Sequence, residues 1–125
     1  MPGLTSTIED ERGRVICERC TIADRALARL RGLLGRRALP PGEGLLLRPS
    51  PSVHTWFMRF PIDVVFLDRD LRVLDARAAV RPWRMAGHRG ARAVLELAAG
   101  ESSRRGLRAG DRLMLRSTPA EEGAR

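Results

Sequence analysis

The chain has 125 residues and a formal charge of +8, from 23 basic and 15 acidic side chains; that length suits a single domain able to form a core without disulfide or metal staples. No run of about 18 apolar residues is present to span a membrane, and the polar opening MPGLTSTIEDERGR lacks the apolar stretch of a signal peptide, so the cytoplasm is the expected compartment. All 23 basic residues are arginine, dispersed among acids as in DRDLR and ERGR, and without a basic stripe or aromatic stacking platform they argue against nucleic acid as a partner.

In chain order, residues 1–12 read as a loose tail and GRVICER (13–19) as a short first strand. TIADRALARLRGLLGRR (21–37) changes to helical period, with Ala23, Leu27, Leu30 and Leu34 forming an apolar stripe and Thr21 and Asp24 at the spacing of a capping box. Pro40 and Pro41 end that helix, and Gly42 and Gly44 supply turn conformations. The rest reads as β. Leu45–Leu47 form a short buried strand, and VHTWFM (53–58) and IDVVFL (62–67) form a central hairpin interrupted by Pro61. DRD (68–70) is a turn, LRVLDARAAV (71–80) alternates as a half-solvated strand, and RPWRMAGHRG (81–90) is a loop. ARAVLELA (91–98) is a further strand, Gly100–Gly106 holds one helical turn, and RLMLR (112–116) closes the domain before a loose tail at 118–125. The expected fold is therefore mainly β: one domain over 13–117, an antiparallel sandwich or barrel with one short helix near its start.

Three places could carry chemistry. Cys17-Glu-Arg-Cys20 stands before the expected helix, where a redox pair would have its thiol pKa lowered. The same motif is half of a zinc site, but His54 and His88, the histidines that would complete it, lack finger spacing, and the preferred reading is two ordinary cysteines in a reducing compartment. The second place is HTWFMRFPIDVVFLD (54–68), which holds Trp56, Phe57, Phe60 and Phe66, four of the five aromatic residues. Asp63 lies there at an apolar position and needs a cation or hydrogen-bond donors, from Arg59 or the backbone near Pro61. The plainer reading makes Asp63 a turn-fixing acid and His54 a satisfied core histidine. The third is Glu96, an acid between Leu95 and Leu97 on the strand face of Val94 and Ala98. If the strands adjoin, His54, Asp63 and Glu96 could converge for acid–base work or a hard cation. No nucleophile elbow, phosphate-binding glycine loop or H-E-x-x-H motif occurs.

The runs RLRGLLGRRALPPGEGLLL, VHTWFMRFPIDVVFLDRDLRVL and VLELAAGESSRRGLRAGDRL together resemble the bacterial and archaeal family called domain of unknown function 192, over roughly residues 13–117. The resemblance implies a small β-rich sandwich or barrel of jelly-roll type with one short helix. It also marks His54, Thr55, Met58, Arg59, Ile62 and Asp63, then Glu96 and Gly100, then Gly110 and Asp111, as matching the family's pattern. It implies no activity, cofactor or substrate, and Cys17 and Cys20 belong to none of its motifs. The leading expectation is a non-enzymatic domain that binds a small molecule or a protein, with no cofactor or metal. Its binding residues are His54, Trp56, Met58, Arg59, Asp63, Trp83 and Glu96. The alternatives are a hydrolase-like or metal-assisted enzyme using His54, Asp63 and Glu96, and a thiol-redox or zinc protein using Cys17 and Cys20.

Overall fold

The computed structural model describes residues 5–23, 38–50, 52–55 and 59–117. Its described elements are β1 (Thr5–Asp10), β2 (Val15–Ala23), β3 (Glu43–Leu47), β4 (Ser52–His54), β5 (Ile62–Leu67), β6 (Val73–Val80), β7 (Met85–Gly87), β8 (Ala93–Ala98), α1 (Glu101–Arg104) and β9 (Leu113–Ser117). Seven strands form one sheet in the order β6-β5-β8-β3-β2-β1-β9, and β4 pairs with β7 in a separate two-stranded sheet. The mainly β expectation holds. The pairing is mixed, however, because β2 and β3 run parallel while every other named pair is antiparallel. The large sheet is open, and an isolated bridge, Arg72 to Arg112, ties the start of β6 to the start of β9.

Strand β8 is an inner strand of this sheet, between β5 and β3, and all six of its residues are buried. Strand β5 is likewise buried throughout, as continuous apolar runs covered on both faces should be. One face of the sheet carries Leu45, Leu47, Ile62, Val64, Phe66, Val94 and Ala98, packed with Ala86 of the small sheet. The other carries Leu46, Val65, Leu67, Leu95 and Leu97, packed with Ile8, Ile16, Cys17, Cys20, Val73, Leu107 and Leu113. The first face is therefore the inside of a sandwich with β4 and β7. The second is the inside of a curl to which both ends of the sheet contribute.

Several expectations change. Residues 5–10, expected as tail, form β1, whose backbone is satisfied from both sides by β2 and β9; pairing on two edges overrides the low strand propensity of a polar, acidic segment. The helix expected from Thr21 does not begin there, because Thr21, Ile22 and Ala23 pair with Leu45, Leu46 and Leu47 as the end of β2. Positions 24–37 lie outside the described residues, and the helix that is described is α1, late in the chain. The loop 81–90 contains β7, which pairs with β4. The hairpin expected from 53–58 and 62–67 is not one: β4 turns to β7, while β5 takes β6 and β8 as neighbours.

Candidate functional site

Asp63 is fully buried and is held by four donors. Its Oδ1 accepts the backbone N–H of Ala79 at 2.8 Å and of Gly100 at 3.1 Å, and its Oδ2 accepts the N–H and hydroxyl of Ser102 at 2.9 and 2.6 Å. Each donor has a local reason to be there. On β6 the register passes from Ile62 opposite Val80 to Val64 opposite Arg77, so Ala78 and Ala79 bulge opposite Asp63. Ala79 takes φ 50° and turns its N–H inward, as a bulge residue left out of the ladder can. On the other side, Gly100 at φ 92° starts α1 and frees its first amides toward the carboxylate. Neither Arg59, which is exposed, nor the backbone beside Pro61 supplies a described donor. Hydrogen bonds this numerous use up the acceptor capacity of a carboxylate, so Asp63 acts as a clamp between a bulge and a helix start.

The register separates the two buried acids. Asp63 lies opposite Leu97 and Val64 opposite Glu96, and directly opposed residues share a face. Asp63 therefore belongs to the curled face of Leu97 and Glu96 to the sandwich face of Val64, Val94 and Ala98, with the sheet between them. His54 pairs through its backbone with Met85 in the small sheet, which covers the sandwich face. Trp56 and Met58 lie outside the described residues. The convergence of His54, Asp63 and Glu96 fails on Asp63.

A second polar group, which spacing gave no means to find, closes the same end of the curl. The buried Glu101 pairs with Arg104 and Arg105, and the Arg105 guanidinium also reaches both oxygens of Glu18, at 3.0 and 2.8 Å, and the Val15 carbonyl at 3.0 Å. These hydrogen bonds from Arg105 hold the Glu18 carboxyl below its usual range.

Cys17 and Cys20 are free and buried on the curled face. Their i, i+3 spacing should place them on opposite faces of a regular strand, but register shifts along β1 and β2 turn both inward. The adjacent Cys17 thiol, and then burial, push the Cys20 thiol well above its ordinary range, the reverse of the lowering that makes a thiol reactive. His88 lies against Phe66, 5.9 Å between ring centres, and Phe66 belongs to the sandwich face. Among the described residues, no three His, Cys, Asp or Glu side chains gather to hold a metal ion.

The remaining candidate, Trp83, has an unusual setting. The buried Thr55 donates its hydroxyl toward the carbonyls of Arg81 and Arg84, at 2.7 and 3.2 Å, and accepts the Arg84 N–H at 2.8 Å. Its backbone adds an N–H to the Arg84 carbonyl and receives one from Trp83. So clamped, the turn holds Trp83 at φ 64°, a region costly for a bulky residue, with 56% of its surface exposed. Met85, two residues on, is 66% exposed, and Arg81 and Arg84 flank the pair in solvent.

Against known proteins, the family model DUF192, described as an uncharacterized ACR, matches residues 7–115. A UPF0127 protein of Thermococcus sibiricus is 38% identical over 85 residues, 62% of this chain and 52% of that one, and a UPF0127 protein of Pyrococcus horikoshii is 39% identical over 67 residues, 51% and 57%. The chain thus spans about half the length of the curated relatives it matches. Among solved structures, a candidate transcription regulator of Sinorhizobium meliloti superposes with TM-score 0.80 at 24% identity, covering 92% of this chain and 96% of that one. A protein of unknown function from Novosphingobium aromaticivorans gives TM-score 0.74 at 24% identity, covering 91% and 92%. At that identity the likeness is one of fold.

Proposed function

The chain belongs to the DUF192 family, and from that premise we propose that it is a non-catalytic domain that binds a protein partner through the turn 81–84 and β7. The observation that carries this reading is Trp83, held in a strained backbone conformation by Thr55 and kept at the surface beside Met85. A large aromatic group fixed in advance loses little freedom on docking, and tryptophan, arginine and methionine are enriched at the centres of protein interfaces. Arg81 and Arg84 favour a partner surface that carries carboxylates. The donors around Asp63, the placement of Glu96 on the far face and the raised pKa of Cys20 support binding over acid–base or thiol chemistry.

A photocrosslinking residue in place of Met85, in cells of the source, tests this reading. A discrete protein adduct is expected there and not with the same residue in place of Arg108 on the far turn. Adding Trp83→Ala should weaken that adduct by about tenfold or more, the size of a hot-spot loss. Identical adducts at both positions, or none at position 85, would count against the reading.

A further inference from the structure

The curl has two ends, and they differ. One is closed by α1 and the ion pairs of Glu101, Arg105 and Glu18. At the other, where β2, β3 and β5 finish and β8 begins, a cavity of about 580 Å³ is lined by Ile22, Arg48, Pro49, Asp68, Arg69, Leu71, Arg92 and Ala93. Volumes of about 300–1,000 Å³ are usual for small-molecule sites.

Arg48, Arg69 and Arg92 come from three separate connections, and none has a side-chain ion pair or hydrogen bond among the described residues. Among the described residues other exposed arginines also lack a side-chain ion pair or hydrogen bond; these three converge on one cavity. Asp68 is the one acid in the lining, so three guanidiniums face a single carboxylate. One oxygen of that carboxylate is held by backbone amides. Its Oδ1 accepts the N–H groups of Arg72 and Asp70 at 2.9 and 2.8 Å, and these bonds, the Arg72 amide foremost, hold its pKa below the ordinary value. With three arginines against one ionised acid, the cavity keeps an excess of positive charge. Its apolar lining comes from Ile22, Leu71 and Ala93, with Ala93 in the buried core and the other two packed on it. Leu71 stands at φ 65°, a strained conformation that puts a large apolar residue, where glycine or asparagine is usual, at the turn after β5. The main chain around the cavity is tied down: Arg92 donates its N–H to Leu67, and its carbonyl accepts that of Ser50.

We propose that this cavity binds a small organic oxyanion, a phosphate or carboxylate head on an apolar body. The head meets Arg48, Arg69 and Arg92, which pair with such groups by two parallel N–H···O bonds. The body lies against Ile22, Leu71 and Ala93. Arginine fixes the class of the head, and the apolar lining separates the ligand from a free inorganic ion. The site does not depend on the Trp83 surface and is tested apart from it.

Phenyl phosphate and phenylacetate, titrated calorimetrically into the full chain at low ionic strength, probe the two heads; phenol and inorganic phosphate lack one part each. At least one of the first two should bind about tenfold more tightly than either control and lose about tenfold or more in R48Q/R69Q/R92Q. Whichever head wins names the class. Arg77→Gln, on an arginine that pairs with Asp75 over Phe66, should bind as the unaltered chain does. The three replaced arginines make no side-chain ion pair or hydrogen bond among the described residues, and thermal melting of the triple variant checks that it folds. Binding that survives the triple substitution, no binding of either probe, or inorganic phosphate bound as tightly as phenyl phosphate would each overturn the proposal.

Discussion

Asp63 shows how one residue can be legible as important and illegible in role. An acid inside IDVVFL announces that it is buried and must be satisfied. Its donors, however, lie 16 to 39 positions away along the chain, beyond any local pattern. Because removal of the carboxylate would strand amides and a hydroxyl in the interior, Asp63→Ala should lower unfolding free energy by about 3 kcal/mol. Ser102→Ala, which deletes one hydroxyl of the set, should lower it by only about 1 kcal/mol. Urea unfolding of the two variants checks the order, and equal losses would mean that the carboxylate is not the shared acceptor. Arg48, Arg69 and Arg92 are the opposite case, since in a chain with 23 arginines nothing marks those three before the fold brings them together.

At the scale of elements, strands with continuous apolar runs were readable and polar or short ones were not. IDVVFL and AVLELA are both found where the pattern puts them. TSTIED carries no such pattern and is a strand because β2 and β9 flank it. At Thr21–Ala23 a helical spacing of apolar residues competed with a parallel partner, β3, and the partner prevailed; spacing reports what a segment could bury, not what lies beside it. Gly44 shows how tightly that partner fits. A Cβ built there would lie 2.8 Å from the Glu96 carbonyl oxygen and 2.9 Å from the Cys17 sulfur. Gly44→Ala therefore forces β3 away from a neighbour and should cost about 1–3 kcal/mol, the usual range for overpacking. Thermal unfolding, with Gly90→Ala as a reference beside roomier surroundings, measures the loss. Since Gly90 itself stands at φ 91°, its own backbone strain is to be expected in that comparison.

For the molecule as a whole, charge sets the acid limit. Glu18 is lowered by its hydrogen bonds from Arg105. Asp68 is lowered chiefly by the Arg72 amide. Asp10 is lowered because the Arg14 and Arg12 hydrogen bonds outweigh the burial that works against them. A carboxyl lowered on folding adds stability above its unfolded pKa and loses it as the pH falls through the folded one. Stability should therefore hold above pH 4.5, the ordinary glutamate value, and decline as the pH falls below 3.8, the ordinary aspartate value, toward the lowered ones. Protonation of the 15 acids also leaves 23 arginines to repel one another. Denaturant unfolding along a pH series measures this, and stability that rises on acidification would contradict the assignment. The mainly β class was legible from composition and alternation; the strand order was not, because it depends on partners far apart in sequence. That order has a consequence for synthesis. Before β8 emerges, β2 can pair with β1 and β3, and β5 with β6, but among the described residues no strand joins the two groups. Ala93–Ala98 enters between β3 and β5 and makes them one sheet, so a growing chain holds two separate half-sheets, with apolar edges unmatched, until three-quarters of its length has been made.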